Sequence, residues 1–147
     1  MATKKTVEVK AEFSNDQVKH LEFIQDAIKR MASNSFQIKG WMLTIVSALL
    51  GFFANSGNTK FALVAILPVL VFWGLDAYYL QQERKIRGVY NDVINPDKAK
   101  TKVGPFEMPL QNYTEGKYSF WNVFTSQTMV ILYFSLVLIL LAINFFM

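Results

Sequence analysis

The 147-residue chain contains no cysteine, so disulfides, thiolate metal sites and cysteine nucleophiles are excluded, and the redox compartment stays open. Histidine is almost as scarce. His20 is the only one, and a single imidazole cannot form a metal-chelating pair. No phosphate loop, dinucleotide fingerprint, nucleophile with a neighbouring base or metal constellation occurs anywhere in the chain. The expectation is a protein that is not an enzyme, needs no cofactor and does not bind DNA directly. Met1-Ala2-Thr3-Lys4-Lys5 is not followed by the short apolar core and small-residue cleavage site of a signal peptide. The first apolar segment is therefore expected to stay as a signal anchor.

What is abundant is apolar surface. Hydrophobic residues make up 52% of the chain and mean hydropathy is positive, which points to a bilayer as solvent. The sequence predicts an all-α membrane protein with three transmembrane helices. Residues 1–13 are polar and lysine-rich, with Val7, Val9, Ala11 and Phe13 alternating, and read as a tail or an edge strand. Ser14-Asn15-Asp16-Gln17 has the spacing of a capping box, so a helix should begin there. Val18, Leu21, Ile24, Ile28, Met31 and Ser35 then recur at three- and four-residue steps among charged residues, giving an amphipathic helix over 14–39.

No proline interrupts the chain between Ser14 and Ala54, so this helix either runs straight into the first apolar segment, 40–54, or bends at Gly40 onto the membrane surface. That segment is short for a span. It reaches about 20 residues only if Ser35, Phe36 and Ile38 are immersed with Lys39 snorkelling outward. Asn55-Ser56-Gly57-Asn58-Thr59 supplies turn chemistry for a tight hairpin into the second span, 61–80, which Pro68 should kink. Beyond it, Leu80, Ile86, Val89, Tyr90 and Val93 leave an apolar stripe on a helical extension over 81–94, and the amphipathic helix is its natural partner. Asn95-Pro96 ends that helix. An irregular, aromatic-rich loop over 95–125, part of it expected on the headgroup layer, leads to the third span, 126–147, which carries no formal charge.

Charge sets the orientation. Lys4, Lys5, Lys10, Lys19, Lys29, Arg30 and Lys39 precede the first span, Lys60 alone lies in the hairpin, and Arg84, Lys85, Arg87, Lys98, Lys100, Lys102 and Lys117 lie between the second and third spans. The positive-inside rule then puts the amino terminus and the middle region in the cytoplasm and the carboxyl terminus outside.

Asp76 is the one acidic residue inside a predicted span, and a carboxylate there is costly enough to suggest a role. Two readings stand side by side: a gating or proton-linked group, or an interfacial carboxylate paired with Lys39, Arg84 or a neighbouring subunit. Gly40, Thr44, Ser47 and Gly51 form a small-residue row suited to close helix packing, within the chain or between copies. Gln127, Ser135 and Asn144, with Ser126 and Thr128, are the polar groups of the third span; they line a pore in an oligomer or hydrogen-bond between helices. His20 is expected on the surface, and the juxtamembrane lysines answer to anionic lipid and topology.

The runs His20-Leu21-Glu22-Phe23-Ile24-Gln25, Arg30-Met31-Ala32-Ser33-Asn34-Ser35-Phe36, Lys39-Gly40-Trp41, Phe72-Trp73-Gly74-Leu75-Asp76-Ala77-Tyr78-Tyr79-Leu80 and Glu83-Arg84 resemble a widespread group of small bacterial membrane proteins. In layout the chain also resembles the SLATT class of membrane effectors attached to bacterial anti-phage systems, from which its third span departs. That resemblance implies a homo-oligomer in the inner membrane that permeabilises it when a cytoplasmic defence-system partner or nucleotide signal triggers it. An accessory subunit of a larger membrane complex, and a small channel or transporter using Asp76, are the competing expectations.

Overall fold

The computed structural model describes residues 14–146, which form helices and turns with no strand among them. The tail or edge strand read over 1–13 lies outside the described residues. Helix α1 spans Asn15–Ser56, 42 residues or about 60 Å of rod. Its start is the capping box: the Ser14 backbone N–H donates to Gln17 Oε1 at 2.9 Å and the Gln17 N–H donates to Ser14 Oγ at 3.3 Å. No break occurs at Gly40, so the amphipathic helix and the first apolar segment are one continuous helix. Its end is Gly57, whose left-handed φ of 66° turns the chain while its N–H reaches the Phe53 carbonyl at 2.8 Å.

A short turn leads into α2 (Lys60–Val64) and α3 (Ile66–Ile94), separated by Ala65 alone. Pro68 explains the break. It has no N–H to offer the Val64 carbonyl and its ring crowds that residue, so the ladder fails one turn upstream of the proline. Helix α3 packs antiparallel along α1 and ends at Asn95, where Pro96 opens a single 3₁₀ turn, Pro96–Lys98. The connection that follows holds two more such turns, Leu110–Asn112 and Gly116–Tyr118, and the short α4 (Phe120–Phe124). Helix α5, Gln127–Phe146, follows and contains a π-helical turn over Val130–Phe134. The helices Asn15–Ser56, Lys60–Ile94 (with its break at Ala65) and Gln127–Phe146 are each long and apolar enough to cross a membrane.

Two cores result. In the charged half, Ile24 and Ala27 of α1 meet Ile86 and Val89 of α3 beneath Tyr113, so the stripe on the extension of the second apolar helix does find α1. In the apolar half, Met42 and Val46 pack with Ala65, Val69, Ala77, Val123, Met129, Tyr133 and Leu140. The buried face of α1 differs at three positions from the periodic stripe: Val18 is exposed, while His20 and Ala27 are buried. The connection covers His20 by folding back over the start of α1. Its close approach needs Gly88, where a Cβ would stand 2.6 Å from Tyr113 Cδ1 and 2.8 Å from the Tyr118 hydroxyl. Outward, Trp41, Phe52, Leu67, Val71, Ile131, Leu138 and Ile139 are all exposed, far more apolar surface than water favours.

Candidate functional site: a buried carboxylate where three helices meet

Asp76 is fully buried at the level where the charged and apolar halves join. A lone carboxylate in such a place is costly unless it is paired and hydrogen-bonded, and every element around it contributes to that. Ser35 and Lys39 lie four residues apart on α1, hence on one face, and that face meets α3. Ser35 Oγ donates to Asp76 Oδ1 at 2.5 Å, and Lys39 Nζ lies 2.6 Å from Oδ2. Lys39 Nζ also donates to Ser35 Oγ at 2.8 Å, closing a ring of three groups. From α5, the Tyr133 hydroxyl donates to Oδ2 at 2.8 Å.

Of the partners the sequence offers Asp76, Lys39 is therefore the one it meets. The ammonium turns toward this buried counter-charge one helix away while its side chain keeps 31% exposure. Tyr133 owes its aim to the π turn. An extra residue in that turn rotates the helix face, and such bulges often mark places where a side chain must be redirected. The ring is then held by stacking on Trp73 at 5.7 Å; Trp73 stacks on Phe124 at 4.4 Å and donates its Nε1–H to the Phe124 carbonyl at 3.1 Å.

Chemically this is an electroneutral clamp joining α1, α3 and α5. Each carboxylate oxygen has a donor, and the carboxylate has no exposed surface for an ion or a proton carrier to reach in this conformation. Ser35 and Tyr133 were not legible as its partners. Ser35 reads as one more small residue on the apolar stripe, and Tyr133 only as an aromatic within a span.

The other sequence candidates are scattered. Gly40, Thr44, Ser47 and Gly51 are all exposed, on the face of α1 turned away from α3, so the row packs against no other helix among the described residues. A Cβ on Gly40 or Gly51 would meet nothing within 4 Å. On α5, Gln127 is exposed, Ser135 Oγ donates to its own helix at the Leu132 carbonyl (3.0 Å), and Asn144 Nδ2 donates across to the Thr59 carbonyl (3.4 Å). Nine residues of helix put Ser135 and Asn144 on opposite sides, so the three do not share one face.

His20 corrects an expectation. It is 5% exposed, with Nε2 donating to the Glu107 carbonyl at 3.0 Å and its ring against Phe106. A third polar knot ties the connection down: Asp92 Oδ2 accepts from the Tyr113 hydroxyl at 2.9 Å and from the Thr101 N–H at 3.0 Å. Burial, then the Asp92 carboxylate, hold the Tyr113 hydroxyl well above its ordinary range. Comparison with protein-family models, with curated proteins and with solved structures finds no match.

Proposed function

We propose that the chain is an oligomeric effector of the bacterial inner membrane, of the anti-phage or toxin type, that permeabilises the membrane on activation. It crosses the membrane three times, with the amino terminus and the 95–125 connection in the cytoplasm and the carboxyl terminus outside. The observation that carries the reading is the outward face of α1. Gly40, Thr44, Ser47 and Gly51 form a surface suited to close helix approach that none of the described residues covers. Self-association through α1 supplies the missing partner. Because α1 is one unbroken rod, a cytoplasmic signal at its charged half moves the membrane half with it.

Inducible expression in bacteria, followed with a potential-sensitive dye and by viable counts, tests this. Wild type should depolarise the membrane and arrest growth, and Gly40→Leu with Gly51→Leu should abolish both while the protein stays in the membrane. Normal potential and growth at high membrane levels of wild type would remove the effector reading. Orientation is tested separately, since the chain has no cysteine of its own: a cysteine at Asn58 should react with an impermeant maleimide added outside intact cells. Labelling only from the cytoplasmic side would overturn the topology.

A second reading, an accessory subunit docking on a larger complex, is favoured by one patch. Phe23 (60% exposed), Phe106 (53%) and Met108 lie together near the far charged end, about 25 Å along α1 from Gly40 and so beyond reach of lipid. Phe106 sits at a φ of 61°, unusual for a bulky residue. That reading predicts no toxicity and stable co-purification with one partner, lost on Phe106→Ser.

A further inference from the structure

We propose that Arg84 and Lys117 form a binding site for the phosphodiester of an anionic phospholipid headgroup. The site rests on the membrane reading above and adds a ligand to it. The end of the long connection is pinned to α3 by two bonds: Gln81 Nε2 donates to the Tyr118 carbonyl at 2.8 Å, and Arg84 Nη1 donates to the Lys117 carbonyl at 3.3 Å. The second bond brings a guanidinium against the backbone of another cationic residue. Lys117 Nζ is itself held over the Tyr118 ring, 5.1 Å from its centroid. The bond thus places two cationic residues at adjoining positions of α3 and the connection.

Such a juxtaposition is unfavourable unless an anion joins it. Among the described residues no carboxylate forms an ion pair with either group, and the acid nearest in sequence to Arg84, Glu83, is taken by Arg87 at 2.7 Å. The guanidinium needs only one N–H for the Lys117 carbonyl, which leaves others for a phosphate in the forked geometry arginine favours.

Depth selects the source of that phosphate. Arg84 is four helical residues past Leu80, about 6 Å beyond the end of the apolar segment, and the headgroup layer is about 5–7 Å thick on each side. Trp121, 70% exposed on α4 and four residues past Lys117, is of the residue type that anchors at a membrane interface. A headgroup phosphate at that depth is within reach of both cations without the lipid leaving the bilayer.

Native mass spectrometry of the full chain, purified in mild detergent and mixed with phosphatidylglycerol or phosphatidylcholine, tests the site. Wild type should hold phosphatidylglycerol and not phosphatidylcholine. Arg84→Gln with Lys117→Gln should weaken that retention about ten- to thirtyfold, as expected for two interfacial cations. Lys117→Gln alone, at an exposed position where the side chain's only described contact is over the Tyr118 ring, should give part of the loss and guards against an effect of misfolding. Equal retention by wild type and both variants, or equal retention of the two lipids, overturns the site. Displacement of phosphatidylglycerol by millimolar inorganic phosphate would make it a site for soluble anions and overturn the lipid assignment. Alkaline carbonate extraction of wild-type membranes separates the two levels: release of the protein refutes the membrane reading, whereas retention without lipid preference refutes only this site.

Discussion

Removing Lys39 should cost more than neutralising Asp76, although the two belong to one ion pair. In Lys39→Met the carboxylate stays behind at zero exposure with only the Ser35 and Tyr133 hydroxyls as donors. Stranding one member of a buried pair costs about 3–5 kcal/mol, and the partial exposure of Lys39 argues for the lower end, about 3 kcal/mol. In Asp76→Asn the stranded member is the ammonium, whose side chain is already 31% exposed and can turn to water. The new amide still offers an oxygen to Tyr133 and Lys39, and its nitrogen can donate to Ser35 Oγ. A loss of about 1–2 kcal/mol follows, the scale of weakened hydrogen bonds to a charged group.

The double variant should then be no worse than Lys39→Met alone, giving a coupling of at least about 1–2 kcal/mol in a double-mutant cycle. Denaturant-driven unfolding in detergent, followed by tryptophan fluorescence, measures all three, because Trp73 is stacked against Tyr133 beside the clamp. A Lys39→Met cost below about 1 kcal/mol would refute the reasoning, as would simple additivity in the double variant. Either result would mean that the pair is solvated and that the clamp does not hold the helices together.

Gly88→Ala should destabilise the charged half by about 1–3 kcal/mol, since the added methyl enters the space of Tyr113 and Tyr118; hydrogen exchange at residues 86–93 should quicken while the apolar half is unaffected. Tyr113 gives a pH dependence of known sign. Its folded pKa is raised above the ordinary tyrosine value of about 10, so its contribution is complete below that value and is lost as pH climbs past it. The thermal midpoint should therefore fall above about pH 10, and Tyr113→Phe should flatten that part of the profile. Pro68→Ala restores a backbone donor to Val64 and should close the gap at Ala65 into one continuous helix, detectable as slowed amide exchange at residues 64–68.

Features set by neighbours in the chain were legible in the sequence. The Ser14 and Gln17 cap, the turn at Gly57, the break caused by Pro68 and the stop at Asn95-Pro96 each depend on a few adjacent residues. The pairing of the stripes from α1 and α3 was also legible, because antiparallel neighbours joined by a tight turn have little choice of partner. What escaped depends on contacts far apart in sequence. His20 became buried because Glu107, 87 residues away, offers it a carbonyl, and no periodicity within α1 reports that. Tyr133 reaches Asp76 only because α5 takes a π turn, for which the run Val130-Ile131-Leu132-Tyr133-Phe134 carries no punctuation. An exposed or buried polar residue on a helix is decided by what comes back to cover it.

The fate of Asp76 bears most directly on function. An intramembrane carboxylate suggests transport as long as its partners are unknown, since a free acid is an obvious ion or proton site. Here Ser35, Lys39 and Tyr133 use both of its oxygens, and its exposure is nil. Transport through it would require breaking the lysine pair in every cycle, at a cost of several kcal/mol each time. If the group is a clamp, Asp76→Asn lowers stability but leaves ion flux through reconstituted protein unchanged; loss of flux in a variant that still folds would restore the transport reading. With Asp76 engaged in holding helices together, the features that remain open to a partner among the described residues are on the surface: the uncovered row on α1, the aromatic patch at Phe23 and Phe106, and the Arg84 and Lys117 cations.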